Sequence, residues 1–298
     1  MSETFWRRLV RGAWRLRQQP YWDAVAGPGW ADRIMGVAVA DRFHAKQGRT
    51  IARWTLESDG RRLTVYLKRH YRLPRWQGLL SLAWPGARCS PALREWDHLQ
   101  WARAEGLPVP EAVAAGEFIG PWGRLQSFLA VEELAGMLPL HEAVPLAASR
   151  LGPCEFRRWK RGLAAEMARL ARLLHDRRHF HKDLYLCHFY VAEADTHAPP
   201  GEGPQAWRGR VSLIDLHRLG HHPWAWWLWR LKDLAQLGYS SDVPGVDARD
   251  RLAFWAHYRG PGARRWASRW LRRLVAFKWR RYARHNRRRR RRMEGEAA

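Results

Sequence analysis

Acidic and imidazole side chains able to do chemistry are spaced at characteristic intervals in the second half of the chain. Asp183 directly follows the basic residue Lys182. His188, a potential metal ligand, comes five positions after Asp183, and Asp215 ends the apolar, β-rich run 211–214. This layout is typical of a catalytic loop followed by a metal-binding strand in enzymes that transfer a phosphoryl group from ATP. In that chemistry Asp183 would orient an acceptor hydroxyl and take its proton, and Asp215 would bind Mg²⁺, which prefers carboxylate oxygen.

A lysine and a glutamate in the first half of the chain fit the same chemistry. Lys68 ends the alternating stretch 64–68, which predicts a half-buried strand, and Glu95 lies on the predicted helix 92–105. Lys68 would reach the α- and β-phosphates, and Glu95 would hold its ammonium in place.

Taken singly, each of these residues has a simpler explanation. Lys68 would be solvated, Glu95 a surface carboxylate, Asp215 a turn cap and Asp183 one member of a surface ion pair. The order of features favours phosphoryl transfer instead: a strand lysine, a helix glutamate, a long helix, then His-x-Asp and Ile-Asp.

Three motifs make the sequence resemble the lipopolysaccharide kinase family. They are Asp183-Leu184-Tyr185-Leu186-Cys187-His188-Phe189, Ile214-Asp215-Leu216-His217-Arg218 and Trp229-Arg230-Leu231-Lys232-Asp233-Leu234-Ala235-Gln236-Leu237. The similarity extends from about Lys46 to about Tyr258. It implies a fold like that of protein kinases, ATP and Mg²⁺ as cofactors, and a heptose or Kdo sugar of the lipopolysaccharide inner core as the acceptor. It also implies a peripheral location on the cytoplasmic face of the inner membrane.

Carried over to this sequence, the resemblance implies Asp183 as the catalytic base, Asp215 as the principal metal ligand and Lys68 as the phosphate-binding lysine with Glu95 as its partner. His188 occupies the position where protein kinases have a metal-binding asparagine. Because imidazole is a poor ligand for Mg²⁺, His188 is either a metal ligand or a group that orients a water or a phosphate oxygen.

The resemblance also implies the groups that contact the nucleotide. Glu132, Glu133 and Leu134 would form the hinge that offers backbone groups to adenine. A Gly-x-Gly-x-x-Gly loop is absent from the sequence, and Gly48 and Arg49 stand where it would be expected. Asp-Leu-His replaces Asp-Phe-Gly, and little sequence follows that could be a regulated activation loop, so constitutive phosphorylation of a lipid or small molecule is favoured over signalling.

The predicted fold class is α+β, a bilobal protein-kinase-like fold with a small β-rich N-lobe containing one key helix and a larger, mainly helical C-lobe. The predicted N-lobe is 40–135 and the C-lobe 136–263. Residues 1–39 are predicted to be a basic amphipathic helix, over 5–17, with a lead-in. Residues 264–298 are predicted to be a second basic helix that ends in a mobile, arginine-rich tail. The Trp-, Gly- and Pro-rich stretch 74–91 is predicted to be a loop.

The formal net charge of +25 predicts an anionic partner. Fifteen Arg or Lys residues against two Glu fall in 264–298. An anionic membrane surface and nucleic acid fit the charge equally well. Two alternatives to a lipopolysaccharide kinase therefore stay open: a kinase acting on protein or another small molecule, and a nucleic-acid-binding protein with a degenerate kinase fold. Retention of all four chemical residues argues against the second, so no nucleic acid is expected.

Other sequence features exclude several protein classes. Cys89, Cys154 and Cys187 are far apart and lack C-x-x-C spacing, so neither a disulfide framework nor a zinc site is indicated and a reducing compartment is expected. The first residues, 1–19, lack the continuous apolar stretch of a secretory signal, and the apolar run 223–229 is too short to span a bilayer.

Overall fold

The computed structural model describes residues 5–37, 41–46, 48–58, 60–84, 90–201, 203–260 and 265–296. Contacts divide the chain into two compact units, 1–135 and 136–298. The elements of the first unit are α1 (Phe5–Arg11), β1 (Ala13–Gln18), α2 (Trp22–Ala26), α3 (Trp30–Arg33), β2 (Asp41–Lys46), β3 (Arg49–Ser58), β4 (Arg61–Leu73), α4 (Arg75–Ala83), α5 (Pro91–Ala104), β5 (Ala112–Ile119) and β6 (Leu125–Glu132).

The second unit contains the long helices. Its elements are β7 (Met137–Pro139), α6 (Leu140–Arg150), α7 (Pro153–Asp176), β8 (His179–Phe180), β9 (Phe189–Ala192), β10 (Val211–Leu213), β11 (Gly220–His221), α8 (Trp226–Ser240), α9 (Ala248–Arg259) and α10 (Arg265–Glu296). Short 3₁₀ turns at Leu186–His188 and Leu216–Arg218 follow the two predicted catalytic segments.

A six-stranded antiparallel sheet forms the centre of the first unit, in the order β1-β5-β6-β4-β3-β2 among the described residues. Strand β4 shows why this sheet suits a chemical role, because successive side chains point to opposite faces. Val65 and Leu67 are fully buried in a core with Trp22, Trp30 and Phe128. Lys68 and His70 therefore face the other side of the sheet.

Arg69 fixes the N-terminal segment to the core side of the sheet. Its side chain is 1% exposed and donates hydrogen bonds to the carbonyls of Ile34, Met35 and Val37. A buried guanidinium requires such acceptors, because burying it without them would cost several kcal/mol. Because Arg69 and Lys68 are adjacent in β4, their side chains point to opposite faces of the sheet: Arg69 has a structural role, and Lys68 is available for chemistry.

The predicted N-terminal helix over 5–17 is wrong beyond residue 11. Helix α1 ends at Arg11, and Ala13–Gln18 forms β1, which pairs with β5 from Ala13 opposite Ile119 to Gln18 opposite Ala114. Gly12 separates the two elements with φ of +85°, and a Cβ at this position would lie 2.4 Å from the carbonyl oxygen of Ile119. The backbone hydrogen bonds offered by the edge of β5 override the helical periodicity of the sequence.

The predicted loop 74–91 is wrong over its first half, where α4 forms. Leu82 of α4 is 2% exposed and packs with Leu9, Ile119 and Leu125 in a second core cluster. Packing against these residues stabilises a helix that the Trp- and Gly-rich sequence does not indicate. Residues 85–89, including Cys89, lie outside the described residues.

Helix α7 is the centre of the second unit, as its apolar stripe predicts. Trp159, Ala168, Leu170 and Leu174 are fully buried, and Trp207 packs edge-on against Trp159 at 5.7 Å between ring centroids. Helices α8, α9 and α10 complete the helical layer. The α+β class, with a β-rich first unit and a mainly helical second unit, is confirmed.

The basic C-terminal segment is helical further than predicted. Helix α10 continues through the arginine run to Glu296, where a mobile tail was expected. Among the described residues, none of the helices combines the length and the apolar character required of a membrane span.

Candidate active site

Lys68 and Glu95 form an ion pair in the first unit. The Lys68 Nζ lies 2.6 Å from the Glu95 Oε1, and the two side chains are only 14% and 5% exposed. Strand alternation directs Lys68 toward the face on which α5 packs. Ser90 begins α5 by accepting a hydrogen bond from the amide of Leu93 at 3.3 Å, with Pro91 as the first helical residue. The sequence thus fixes the helix start that places Glu95 over the strand.

Gly48 and Arg49 lie at the turn between β2 and β3. Gly48 has φ of +78°, and its carbonyl accepts a hydrogen bond from Tyr71 at 2.7 Å. Arg49 is paired with His70 in the sheet register, so it shares the sheet face of Lys68. Its buried Nε has no hydrogen-bond partner among the residues that the structure describes. Gln47, also part of the predicted phosphate loop, lies outside them.

The predicted hinge residues end strand β6. The amides of Glu132 and Glu133 donate to the carbonyls of Glu111 and Thr64, whereas the Leu134 amide has no such acceptor within the described ranges. The Glu133 carboxylate accepts two hydrogen bonds of 2.7 Å from Arg53, and these lower the pKa of Glu133. Burial raises the pKa of Glu132. Of the three hinge amides, that of Leu134 is therefore the one suited to a base of the nucleotide.

Two antiparallel strand pairs hold the catalytic segments of the second unit against each other. Strand β8 pairs with β11, and strand β9 pairs with β10, so residues 181–188 and 214–219 are clamped at both ends. The segments are also joined between the clamps, because His181 Nε2 lies 3.0 Å from the carbonyl of Ile214. This carbonyl can only accept, so Nε2 carries the proton. Burial lowers the pKa of His181, which favours the neutral imidazole.

Asp233 of α8 anchors the loop that carries Asp183. Its fully buried carboxylate accepts hydrogen bonds from the amides of His181 at 2.9 Å and Lys182 at 2.8 Å. It also lies 3.4 Å from His175 of α7. Lys182 has a left-handed backbone, with φ of +67°, a conformation that costs a residue with a side chain about 1 kcal/mol or more. The anchoring by Asp233 holds this strained turn in place.

The Asp183 carboxylate is held by two neighbouring side chains. Arg218 Nη1 lies 3.1 and 2.9 Å from its two oxygens, and Gln236 Nε2 lies 3.3 Å from Oδ1. Gln236 Nε2 also donates to the hydroxyl of Tyr185 at 3.0 Å, and burial raises the pKa of that hydroxyl. The Asp183 side chain remains 17% exposed, so it is oriented by fixed donors while still open to a reactant.

Asp215 lies between two imidazoles. Its φ of +62° and ψ of +52° place it in the left-handed region directly after β10, which turns the carboxylate out of the strand direction. Oδ1 accepts a hydrogen bond from His217 Nδ1 at 2.7 Å, and Oδ2 lies 3.7 Å from His188 Nε2. The side chains of Asp215 and His188 are 28% and 18% exposed.

The tautomer of His188 follows from its other nitrogen. Nδ1 lies 2.7 Å from the backbone carbonyl of Asp183, which can only accept, so Nδ1 carries the proton. In the neutral ring, Nε2 then presents a lone pair toward the Asp215 carboxylate. Two electron-pair donors that face each other at 3.7 Å suit a shared cation. Among the described residues, no group of three or more His, Cys, Asp or Glu side chains forms a metal site. Mg²⁺ commonly binds one or two protein carboxylates together with substrate phosphates and waters, and Asp215 offers one such carboxylate.

The structure brings the sequence-predicted residues together within each unit: Lys68 with Glu95, and Asp183, His188 and Asp215 with one another. Asp233, Arg218 and Gln236 are functional residues that sequence reasoning did not assign. Asp233 and Gln236 lie in the third motif quoted for the family resemblance, and Arg218 ends the second motif, so the motifs carried the signal. What the motifs lack is any indication that these side chains contact residues 181–183.

Comparison with known proteins identifies relatives of this chain. The WaaP lipopolysaccharide core heptose(I) kinase of Pseudomonas aeruginosa is 33% identical over 167 residues, which are 56% of this chain and 59% of that protein. The WaaP of Escherichia coli K12 is 31% identical over 186 residues, 62% of this chain and 64% of that protein. The chain spans about three fifths of the length of these curated relatives.

A solved structure of WaaP in complex with acyl carrier protein is similar to this chain with a TM-score of 0.64 and 28% sequence identity. The match covers 90% of this chain and 97% of that one, which confirms the bilobal, kinase-like fold. The profile of the lipopolysaccharide kinase (Kdo/WaaP) family matches residues 40–258. The chain therefore belongs to the lipopolysaccharide kinase (Kdo/WaaP) family.

Proposed function

We propose that this protein is an ATP-dependent kinase that phosphorylates a sugar hydroxyl, of heptose or Kdo, in the lipopolysaccharide inner core. The observation that carries the proposal is the convergence of Asp183, His188 and Asp215 in the second unit, with the carboxylate of Asp183 oriented by Arg218 and Gln236. Family membership and the names of the relatives support the same activity.

The roles of the residues follow from phosphoryl transfer, which demands positioning and charge neutralisation more than covalent chemistry. Asp183 accepts a hydrogen bond from the acceptor hydroxyl, aims its oxygen and takes its proton late in the transfer. Arg218 and Gln236 keep the carboxylate from rotating. Lys68, held by Glu95, binds phosphate oxygens of ATP, and Arg49 on the same sheet face adds a second cation. Leu134 offers its amide to adenine.

Mg²⁺ fits the residues of the second unit. Asp215 Oδ2 would hold it, His188 Nε2 would complete the protein's contribution directly or through a water, and His217 would orient the carboxylate from behind, as outer hydrogen bonds do in metal sites. When bound, the ion supplies charge neutralisation at the phosphate oxygens. The protein residues hold the site ready, because both imidazoles are already fixed by the contacts described above.

Transfer of the γ-phosphate to a defined glycolipid tests the proposal. The purified protein is incubated with Mg-ATP and either a heptose-containing or a Kdo-only lipid acceptor, and the product is measured by mass spectrometry. Asp183→Asn should abolish the transfer. Asp242→Asn is the matched control, because this carboxylate of the same unit is 82% exposed, and it should retain full activity. Labelling of a protein acceptor instead would favour the alternative kinase class, and absence of any ATP turnover would contradict the enzyme assignment.

We also propose that the protein is cytoplasmic and binds the inner face of the inner membrane peripherally. Trp224 is 92% exposed, and Trp227 and Leu228 beside it are 53% and 44% exposed. Arg178 and Arg230 flank this apolar group through contacts with the ring of Trp226. Exposed tryptophans next to cations suit the boundary between anionic headgroups and acyl chains. Flotation with phosphatidylglycerol vesicles should fall in Trp224→Ser/Trp227→Ser and remain unchanged in Trp122→Ser, which removes a 63% exposed tryptophan of the first unit.

An acyl carrier protein is a further proposed partner. Support comes from the similar structure of WaaP with acyl carrier protein and from a cavity of about 390 Å³ in the second unit. Its mostly apolar lining includes Leu163, Met167, Leu237, Trp255, Ala276 and Trp279, which suits a flexible acyl chain. Co-purification should favour acylated over non-acylated carrier protein. Ala276→Trp, which fills the cavity, should remove that preference, and equal binding of both forms by the wild type would contradict the role of the cavity.

A further inference from the structure

Three lysines of the second unit lie near Asp233, the residue that anchors the loop carrying Asp183. Lys182, Lys232 and Lys278 are half-buried, and within the described residues none of them forms an ion pair. Such an arrangement is unusual, because a lysine withdrawn from water is normally paired or left at the surface. Lys160 of the same unit shows the usual solution, since its Nζ lies 2.6 Å from Asp250.

The ring of Trp229 holds two of the three lysines. The Nζ atoms of Lys182 and Lys232 lie 5.1 and 5.5 Å from its centroid, and His222 stacks on Trp229 at 4.6 Å between ring centroids. An aromatic face attracts a cation by about 0.5–2 kcal/mol without neutralising it. The ring therefore fixes the positions of the two ammonium groups and leaves their charge available.

Helix α10 contributes the third lysine. Helix α10 packs against α8, which carries Lys232, and burial followed by the charge of Lys232 lowers the pKa of Lys278. Burial followed by neighbouring cations likewise lowers the pKa of Lys182, with Arg218 and Lys232 as those neighbours. Burial also lowers the pKa of Lys232, partly offset by the charge of Asp183. The lysines thus form one electrostatically connected group around the loop.

The carboxylates near this group are already engaged. Asp233 accepts the amides of His181 and Lys182, and Asp183 is held by Arg218. The cations outnumber these two acids, since Arg218 and Arg281 lie near the same lysines. A cluster of like charges that is partly withdrawn from water costs free energy in the unliganded protein. An anion placed among the lysines would remove that cost.

We propose that Lys182, Lys232 and Lys278 bind a carboxylate or phosphate group carried by the acceptor, so that the enzyme selects an anionic sugar rather than a neutral one. This inference rests on the proposed kinase function and names a specificity subsite for it. The acceptor is favoured over ATP as the source of the anion, because Lys182 directly precedes Asp183, the group that meets the acceptor hydroxyl, and Lys232 directly precedes Asp233, whose carboxylate binds the amides of the same loop. The metal-side carboxylate, Asp215, instead accepts a hydrogen bond from His217.

Substitutions that remove charge while keeping side-chain length test the subsite. Lys232→Met and Lys278→Met should each raise the KM for an acidic glycolipid acceptor about tenfold, the loss expected for one charge-assisted contact. The KM for ATP should stay unchanged. Arg280→Gln removes one exposed charge from the same helix and controls for general electrostatic attraction. If the anion is the sugar carboxylate, a methyl-esterified acceptor should be a poor substrate, with the same KM for the wild type and the variants. If the anion is a phosphate, a dephosphorylated acceptor should be the poor substrate with equal KM values instead.

Thermal stability separates ligand binding from a structural role. Because the lysines lack carboxylate partners, Lys232→Met and Lys278→Met should leave the melting temperature unchanged or raise it. Lys160→Met, which breaks an ion pair, should lower it. Inorganic phosphate should raise the melting temperature of the wild type more than that of either variant.

The outcomes distinguish this inference from the proposed function. If the wild type transfers phosphate and both Lys variants keep the wild-type acceptor KM, the subsite is refuted and the kinase stands. An ATP KM that rises alone would assign the lysines to the nucleotide and also overturn the inference. If no acceptor is phosphorylated, the kinase proposal fails, and the phosphate-induced stabilisation still decides whether the three lysines bind an anion.

Discussion

A double-mutant cycle on Lys68 and Glu95 should show that the double variant regains most of the stability that each single variant loses but none of the activity. The two charges lie 2.6 Å apart with 14% and 5% of their side chains exposed. At an effective dielectric constant of about 20, their attraction is about 6 kcal/mol, against a desolvation cost of several kcal/mol for each ion. The pair itself is therefore close to neutral for folding. Removing one partner alone leaves the other charge buried, which costs about 3–5 kcal/mol.

Glu95→Gln and Lys68→Met should each destabilise the first unit by that amount, whereas the double variant should lose about 1 kcal/mol. The coupling energy is then several kcal/mol. Hydrogen exchange of peptides from β4 and α5 measures it locally, which avoids assuming that the two units unfold together. Arg62→Met with Glu57→Gln is the control pair, because these side chains are 70% and 72% exposed with 3.6 Å between their charged atoms, and its coupling should be about 0–1 kcal/mol.

Activity should follow a different pattern, because catalysis needs the lysine itself. Both single variants and the double variant should lose about 10²-fold or more in the rate of transfer from ATP, the effect of losing one preorganised charge. If the double variant regains stability but not activity, the role of the ion pair in folding is distinct from the role of Lys68 in phosphoryl transfer. The reasoning is refuted if the stability losses are additive, or if Lys68→Met retains wild-type turnover.

Three further predictions concern the second unit. Burial lowers the pKa of His181 in the folded state, so the unfolded chain binds the proton more readily. The free energy of unfolding should therefore fall as pH drops below about 6.5, by up to about 1.4 kcal/mol per pH unit. His181→Asn should flatten this dependence in urea titrations at pH 5 to 7. Asp233→Asn should lower kcat at least tenfold with little change in KM, since the loop loses its anchor, and unchanged kcat would contradict the anchoring role. Gly162→Ala should lower the melting temperature, because a Cβ there would lie 2.1 Å from the ring of Trp207, at a cost of about 1–3 kcal/mol; Gly238→Ala, with open space around it, should not.

The proximity of the predicted site residues within each unit could be anticipated from sequence, because phosphoryl transfer constrains both residue type and order. Asp183, His188 and Asp215 are close in sequence to short strands that pair with one another, so local motif and local structure coincide. Lys68 and Glu95 are 27 residues apart, yet strand alternation and a helix start defined by Ser90 and Pro91 are both readable. The geometry of these residues therefore follows from features that a sequence displays.

The supporting residues were missed because their roles depend on contacts distant along the chain. Asp233 meets the amides of residues 181 and 182 from about 50 positions away, and nothing in the helical pattern of α8 indicates which loop it faces. Contacts distant along the chain also explain why residues 13–18 form a strand and not the predicted helix. Their helical periodicity was genuine, but the open edge of β5, about 100 residues later, provided better partners for their backbone.

The C-terminal helix illustrates how such contacts change a functional interpretation. Its charge alone predicts a segment that binds the anionic membrane surface, so that its removal would weaken membrane binding. In the structure, Val275, Ala276 and Trp279 line the apolar cavity with residues of α7 and α8. Lys278 belongs to the lysine group near Asp233, which anchors the loop that carries Asp183. Deleting 264–298 would therefore expose the cavity and alter the catalytic surroundings together with any membrane contact, so loss of vesicle binding by that truncation has no single cause. Charge-neutralising substitutions on exposed positions such as Arg269 and Arg280 keep the helix in place and isolate the electrostatic contribution to the membrane.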